Sequence, residues 1–293
     1  MSTRTLISPA SRHSPRGRAI YWTVLIGSAA VFVLAFFFPL YWMITGAVKH
    51  PAELALPTPT FVPRSFHPES FVDAWSKLRI AHYFLNTVVY AIGGWLIQLV
   101  LDVAVAYALS KLRPVLGKLV LGLMLASLML PAAALLVPGY LAVADVPIFH
   151  VNLLNTPWAL WLPGVANAVN IYLLKRFFDQ IPADLIDAAS IDGAGRLRIL
   201  WSVVLSISRP VLAVVSIFAI ITSWKDFLWP MLVLQDPETQ TLSVALSRLS
   251  ITSQVALNEM MAGLVITSLP MIVVFLVFQR HIIGGLSAGA TKG

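Results

Sequence analysis

Long apolar runs separated by short polar breaks dominate this chain. An α-helix rises 1.5 Å per residue, so roughly 20 apolar residues cross the hydrocarbon layer of a bilayer. Six runs are long enough, at about 20–48, 84–109, 116–142, 156–178, 201–224 and 261–283, and each is predicted as a membrane-spanning helix. Pro39, Pro131, Pro138, Pro163 and Pro270 fall inside or at the edges of these runs. A proline removes one backbone hydrogen bond and bends its helix. A bundle tolerates this where neighbours or water satisfy the freed carbonyl, and kinked spans suit a transporter better than a simple anchor. Between the first two runs, residues 68–78 and the stretch before Asn86 read as short amphipathic pieces on the outer surface. No internal repeat or low-complexity segment is present.

One segment breaks the pattern. Residues 180–210, QIPADLIDAASIDGAGRLRILWSVVLSISRP, form a polar island between two apolar runs. Asp179, Asp184, Asp187 and Asp192 crowd into it or its edge, as do Lys175, Arg176, Arg196 and Arg198. Pro182 suits the first turn of a helix, where its missing N–H is not needed, and Asp184 then sits where the helix dipole favours negative charge. Leu185, Ala188, Ala189 and Asp192 follow at helical spacing, with Ile181, Ile186 and Ile191 as further apolar positions. Asp192-Gly193-Ala194-Gly195 signals a turn, and a second helix restarts near Arg196. The prediction is a helix–turn–helix elbow. A helix lying on anionic headgroups carries mostly Lys and Arg on its polar face. This one leads with aspartates, so a docking surface for another protein is favoured over a lipid-lying helix.

Composition agrees with a lipid environment. Of 293 residues, 58% are hydrophobic and 11% charged, with a mean hydropathy of +0.84. Soluble domains carry about 25% charged residues. The net charge of +7 and pI near 9.9 do not indicate nucleic acid, because the basic residues stand singly at the ends of apolar runs. That arrangement is a topology signal. Arg4, Arg12, Arg16 and Arg18, then Lys111, Arg113 and Lys118, then the island, then Arg280 and Lys292 occupy one set of loops. The other set has four bases against three acids in 49–80, no Lys or Arg in 143–155, and Lys225 and Arg248 in 225–260. The first set is therefore cytoplasmic, and both termini lie inside. The first run is much longer than the apolar core of a signal peptide and lacks a small-residue cleavage site, so it reads as a retained span. The organisation expected is a basic tail over 1–19, a six-span domain over 20–284 containing the elbow at 180–200, and a cytoplasmic tail over 285–293.

The absence of cysteine excludes disulfides, thiolate metal sites and cysteine nucleophiles. The six histidines are dispersed with no H-x-x-x-H pair, and no G-x-S-x-G occurs. Gly117-Lys118 has Leu112 where a phosphate loop needs its first glycine. No catalytic, metal or cofactor site is expected, and an intramembrane hydrolase finds no paired residues within the spans. Asp102 is the carboxylate deep within a predicted span, about 12 Å from its cytoplasmic end by helix rise. Intramembrane charge defaults to a functional hypothesis; pairing with a hydroxyl or a basic residue of another span is the structural alternative, and the one favoured. Gln98, Asn167 and Asn170 are candidates to line a polar pathway, with Trp158, Trp161, Tyr172 and Trp224 near them in sequence. Amide hydrogen bonds and aromatic stacking together suit a sugar, whereas single tryptophans at a membrane interface are commonly anchors. A self-contained secondary transporter or channel would predict internal repeats or several intramembrane charges.

The island resembles the E-A-A-x-x-x-G-x(9)-I-x-L-P signature of permease subunits in bacterial ATP-binding-cassette (ABC) importers, through Asp187-Ala188-Ala189, Gly193, Val203, Leu205 and Ser206. Ordered pieces around it are similar to the carbohydrate-uptake, maltose permease G-like branch. They are Asn86-Thr87, Ala106-Tyr107-Ala108-Leu109-Ser110-Lys111, Leu130-Pro131 with Pro138, Ile181-Pro182, and Ser223-Trp224-Lys225-Asp226-Phe227-Leu228-Trp229-Pro230. The resemblance covers about residues 20–290. Asp187 stands where the family has glutamate, Ser206 where it has proline, and Lys225 where it has asparagine. The resemblance implies an all-α membrane protein of the type I ABC importer transmembrane fold, with six transmembrane helices and the elbow as a cytoplasmic coupling helix. Leu185, Asp187, Ala188, Ala189, Ile191, Asp192 and Gly193 would dock in a groove of the ATP-hydrolysing subunit. It implies a multi-pass protein of the bacterial cell membrane that is no enzyme itself, with ATP and Mg on partner subunits. Those partners would be a second homologous permease, an ATPase dimer and an extracytoplasmic substrate-binding protein, with the lipid bilayer as solvent and no nucleic acid. The cargo implied is a sugar, oligosaccharide or related polyol, with glycerol phosphate or another small solute as the alternative.

Overall fold

The computed structural model describes residues 14–251 and 255–290. Arg4, Arg12, Lys292 and the outer parts of the two predicted tails lie outside the described residues. The helices are α1 (Pro15–Ala47), α2 (Pro51–Leu54), α3 (Glu69–Lys77), α4 (Ile80–Tyr107), α5 (Gly117–Ser127), α6 (Ala132–Ala144), α7 (Pro157–Trp161) and α8 (Ala168–Asp179). They continue as α9 (Ala183–Ile191), α10 (Arg196–Ile199), α11 (Leu205–Ile207), α12 (Arg209–Lys225), α13 (Leu228–Val233), α14 (Leu242–Ile251) and α15 (Leu257–Ala290). Among the described residues there is no strand, only an isolated bridge between Val146 and Val151.

Among the described residues three helices are long and apolar enough to cross a membrane: α1, α4 with the π-turn that extends it to Leu112, and α15 as far as Gln279. Two bent pairs raise the number to five if each is one span. The third predicted run divides into α5 and α6, which meet at 108°. Pro131, fixed in φ and without an N–H, stands at that break. The fifth run begins at Arg196, passes through a π-turn at Leu200–Val204, and bends by 84° at Ser208, where Pro210 opens α12. The fourth predicted run is not one continuous helix. It divides into the five-residue α7 and the twelve-residue α8, separated by a stretch containing Pro163 and Gly164. The stretch before Asn86 is not a separate surface piece but the first turns of α4, whereas α3 occupies the other predicted amphipathic segment. α1 starts at Pro15 and α15 runs to Ala290, so the helices extend into both predicted tails.

The chain divides into two compact units, Met1–Ser76 with Gln254–Ile266 and Lys77–Ser253 with Thr267–Gly293. In the first, α1 is apolar on every side and no residue of its most hydrophobic window is buried, the signature of a helix whose solvent is lipid. Its C-terminal end is ordered by a small polar core. Lys49, 1% exposed, donates to the Thr60 carbonyl and lies 4.7 Å from the Trp42 ring centre. Glu53 accepts from the Thr60 hydroxyl at 2.5 Å and from the Arg64 N–H at 3.1 Å. The Thr60 bond, with help from the Arg64 amide and the nearby cations, holds the Glu53 carboxyl below its ordinary pKa against the opposing effect of burial. Asn258, at the start of α15, donates to Ser70 of α3 at 2.7 Å.

The core of the second unit lies where α4, α8 and α12 meet the elbow segment. Val103, Ala106 and Tyr107 from α4 pack with Ile171, Leu174 and Phe178 from α8 and with Val211 and Val215 from α12. Ile181, Ile199, Leu200 and Val204 carry the same cluster into the polar island. The island is therefore anchored on the membrane core by its own apolar residues.

Candidate functional site

The elbow is α9, a turn, and α10. Helix α9 follows Pro182 directly and carries Asp184 in its first turn. Gly193, at φ +78°, reverses the chain after Asp192. An added Cβ there would meet nothing within 4 Å, so glycine is needed for backbone conformation and not for space. The Ala194 N–H closes the turn on the Ala189 carbonyl at 3.0 Å. Ile186, Ala189 and Ala194 pack on the core cluster. Leu185, Asp187, Ala188, Ile191, Asp192 and Gly193 are exposed, Ile191 to 86%. Of the seven predicted docking residues, only Ala189 is turned partly inward. The exposed apolar surface continues beyond the turn at Leu197 (74%) and Trp201 (71%).

Three side chains, from the last residue of α4 and the π-turn that extends it, tie down the elbow and the end of α8 that leads into it. The Tyr107 hydroxyl donates to the Arg196 carbonyl at 3.1 Å. The Ser110 hydroxyl donates to Asp179 at 2.7 Å, and Lys111 Nζ donates to the Ile181 carbonyl at 3.0 Å. Lys175 completes the set through an i,i+4 ion pair with Asp179 at 2.7 Å. Hydrogen bonds from Lys175 and Ser110 draw the Asp179 carboxyl below its ordinary pKa, although burial, the largest single influence, acts the other way.

The N-terminal end of α4 holds a second set of bonds, to the loop before α14. Arg79 pairs with Glu238 through both terminal guanidinium nitrogens, at 2.5 and 3.0 Å. Asn86 Nδ2 donates to the carbonyls of Glu238 and Gln240, at 2.9 and 3.1 Å. The Tyr90 hydroxyl donates to Thr239 O at 2.7 Å. The buried Thr87 hydroxyl accepts from the Leu242 N–H at 2.9 Å while donating to its own helix at Tyr83 O.

Between these two ends α4, α7, α8, α12 and α13 line a partly open cavity of about 210 Å³. Gln98, Asn167 and Asn170, predicted as pathway residues, all line it; Trp224, the fourth, does not. Trp224 is buried with its ring edge-on to Phe84 at 5.6 Å. Lys225 is exposed and is not among the lining residues. Residues that the sequence reading did not select complete the wall, including Tyr90, Trp95, Ser223, Asp226 and Trp229, together with Trp161. Gly93 and Gly94 let the Trp161 ring lie directly on α4; a Cβ at Gly93 would come within 2.3 Å of it. The Trp161 and Trp229 N–H groups donate to Tyr90 O at 3.0 Å and Ala159 O at 2.9 Å.

Asp102, 1% exposed, lies beneath this cavity. It accepts from the Asn167 backbone N–H at 2.9 Å and from the side chains of Gln98 and Asn170. Its partners are thus amides, and not the hydroxyl or basic residue expected. Asn167 caps α8 with its own side chain, accepting from Val169 and Asn170 N–H at 3.0 and 3.1 Å. The carboxylate of one helix and the cap of another therefore share the start of α8, where the dipole favours negative charge. Among the described residues no cluster of His, Asp or Glu suited to a metal is present.

Comparison with known proteins places these features in context. Residues 102–287 match the family described as binding-protein-dependent transport system inner membrane component. The chain is 30% identical over 270 residues to the melibiose/raffinose/stachyose import permease protein MelC of Bacillus subtilis, covering 90% of this chain and 95% of that protein. It is 31% identical over 259 residues to the diacetylchitobiose uptake system permease protein NgcG of Streptomyces coelicolor, covering 87% and 83%. Among solved structures it is similar to a chain of a bacterial ABC transporter involved in the import of the acidic polysaccharide alginate. That match has a TM-score of 0.80 and 25% identity, over 92% of this chain and 98% of the other.

Proposed function

The chain belongs to the family of binding-protein-dependent transport system inner membrane components, and from that premise we propose that it forms one half of the pathway of an ABC importer for a saccharide. It is a membrane permease subunit, and ATP hydrolysis resides in separate subunits. In this proposal the elbow at 180–200 is the input for energy and lies in the cytoplasm with both termini. An ATPase dimer grips the exposed face of α9 through Leu185, Asp187, Ala188, Ile191, Asp192 and Gly193. A second homologous permease completes the pathway, and an extracytoplasmic binding protein delivers cargo to the outer loops.

The observation that carries this reading is the construction of the elbow. A surface that presents Ile191 almost fully to solvent, yet is fixed from behind by Tyr107, Ser110 and Lys111, moves as one body with α4. A force applied to α9 is therefore delivered to a helix that lines the cavity, which is what alternating access requires. Saccharide cargo is supported by the substrates named for MelC, NgcG and the alginate transporter, and by a cavity wall combining amides with indole rings. Affinity purification of the tagged chain from its native membrane tests the reading. The expected result is recovery with an ATPase whose activity falls when Asp187 is replaced by lysine. Recovery of the chain alone, competent for transport without ATP, would overturn it.

A further inference from the structure

We infer that the second arm of the elbow, Arg196–Ile207, lies flat in the bilayer interface and binds anionic phospholipid through Arg196, Arg198 and Arg209. The inference rests on the membrane-permease reading above, but on neither its cargo nor its ATPase.

Direction supplies the first argument. Helix α12 has 17 residues and rises about 25 Å, most of the thickness of a hydrocarbon layer. It needs little help from the preceding residues to cross. The segment Arg196–Ile207 meets α12 at 84°. With α12 along the membrane normal, that segment runs parallel to the surface.

The exposed apolar side chains supply the second. The inner side of the segment is fixed, because Ile199, Leu200 and Val204 belong to the core shared by α4, α8 and α12. Leu197 and Trp201, about one turn apart, are instead left exposed. A lone exposed leucine means little. Leucine and tryptophan together, on a helix that runs directly into a membrane-crossing one, match the apolar side of an interfacial helix. Indole is the ring that settles at headgroup level.

Charge supplies the third, because the two arms of the elbow are opposite in sign. Asp179, Asp184, Asp187 and Asp192 all precede the Gly193 turn, and no acid occurs from Gly193 to Lys225. Arg196, Arg198 and Arg209 are all exposed. Among the described residues none of the three has an ion-pair partner. Guanidinium groups suit phosphate geometrically as well as electrostatically, and basic clusters beside a span are drawn to anionic headgroups. A protein partner would have to offer acids and an apolar groove together. Anionic lipid offers both, and the bilayer already adjoins this arm through α12. The acidic arm is thus left for a protein and the basic arm for lipid.

The chain has no cysteine, so one fluorophore can be placed on it at will. The assembled importer, its other subunits made cysteine-free, is reconstituted in nanodiscs of phosphatidylcholine containing brominated phosphatidylglycerol or, separately, brominated phosphatidylcholine. Bimane is attached at Ser202→Cys, exposed between Arg198 and Arg209, or at Asp184→Cys on the other arm. Quenching at position 202 by both lipids is expected, at least about threefold stronger for phosphatidylglycerol, with little at position 184. Replacing the three arginines by glutamine should level the two lipids while quenching remains. Leu197→Ser with Trp201→Ser should reduce quenching by both. Bimane at 202 left unquenched, because water or another subunit covers the arm, would overturn the proposal. So would equal quenching by the two lipids before any arginine is changed, or either set of substitutions behaving as the parent does. ATP hydrolysis by the parent importer is measured alongside. If it persists while the arm stays unquenched, the importer reading stands and lipid binding fails; if no ATPase assembles, that reading fails while quenching still reports lipid contact.

Discussion

At the scale of single residues, the informative side chains act through the backbone of distant segments. Thr87 is 4% exposed, and its hydroxyl satisfies the Leu242 N–H 155 positions away in sequence. Thr87→Val keeps the shape but leaves that buried N–H unpaired, a loss of about 1–3 kcal/mol. Thr87→Ser should recover most of it. The melting temperature of the protein in detergent distinguishes the two, and equal melting of both variants would show that the Thr87 hydroxyl does not stabilise the fold through Leu242. The Asn86-Thr87 pair was visible in the sequence as part of a resemblance, but what it holds was not. No local periodicity reports a bond to residues 238–242. Trp224 illustrates the converse: an aromatic near polar residues in sequence was a fair candidate for the pathway, yet its helix turns it onto Phe84.

At the scale of elements, α4 joins the two ends of the machine. Its last residue and the π-turn beyond it fix the elbow, its first turns fix the 236–242 loop, and its middle lines the cavity. Tyr107→Phe combined with Lys111→Met removes two of the three ties without altering the exposed face of α9. The expected outcome is an ATPase that still copurifies but whose hydrolysis drives less transport, with a several-fold fall in solute moved per ATP. Loss of copurification instead would mean that these residues shape the docking face itself.

At the other end, hydrogen bonding to Arg79, chiefly, holds the Glu238 carboxyl below its ordinary pKa. A lowered folded-state value means that the contribution of this pair is complete above the ordinary carboxylate range. It is lost as pH falls through the lowered value. Both side chains are more than half exposed, so the effect is local and small. Hydrogen exchange at residues 236–242 should quicken on acidification, and Glu238→Gln should flatten much of that dependence. The elbow was the most legible element, because Pro182, the aspartates and the Gly193 turn are local signals. The division of the fourth run at Pro163 and Gly164 was harder to read. Its apolar content satisfied a span, and the carboxylate that stabilises the start of α8 comes from another helix.

At the scale of the whole molecule, the sequence determines a lipid-facing, all-helical chain because hydropathy is a property of composition and run length. The number of crossings is less direct, since among the described residues three helices qualify outright and two more spans only as bent pairs. The cavity was partly legible. Gln98, Asn167 and Asn170 stood out as polar residues in apolar runs, whereas Trp95, Ser223 and Asp226 join them only once α4 and α12 are packed.

The central claim is that the elbow transmits energy as a rigid body, and Gly193 tests it most directly. Its φ of +78° disfavours a β-branched residue, while the surrounding space is open and asparagine tolerates that conformation. In the reconstituted importer, solute transported per ATP hydrolysed is measured for Gly193→Val and Gly193→Asn. That ratio should collapse for valine, with the protein still inserted, and be substantially retained for asparagine. Normal transport by the valine variant would contradict it.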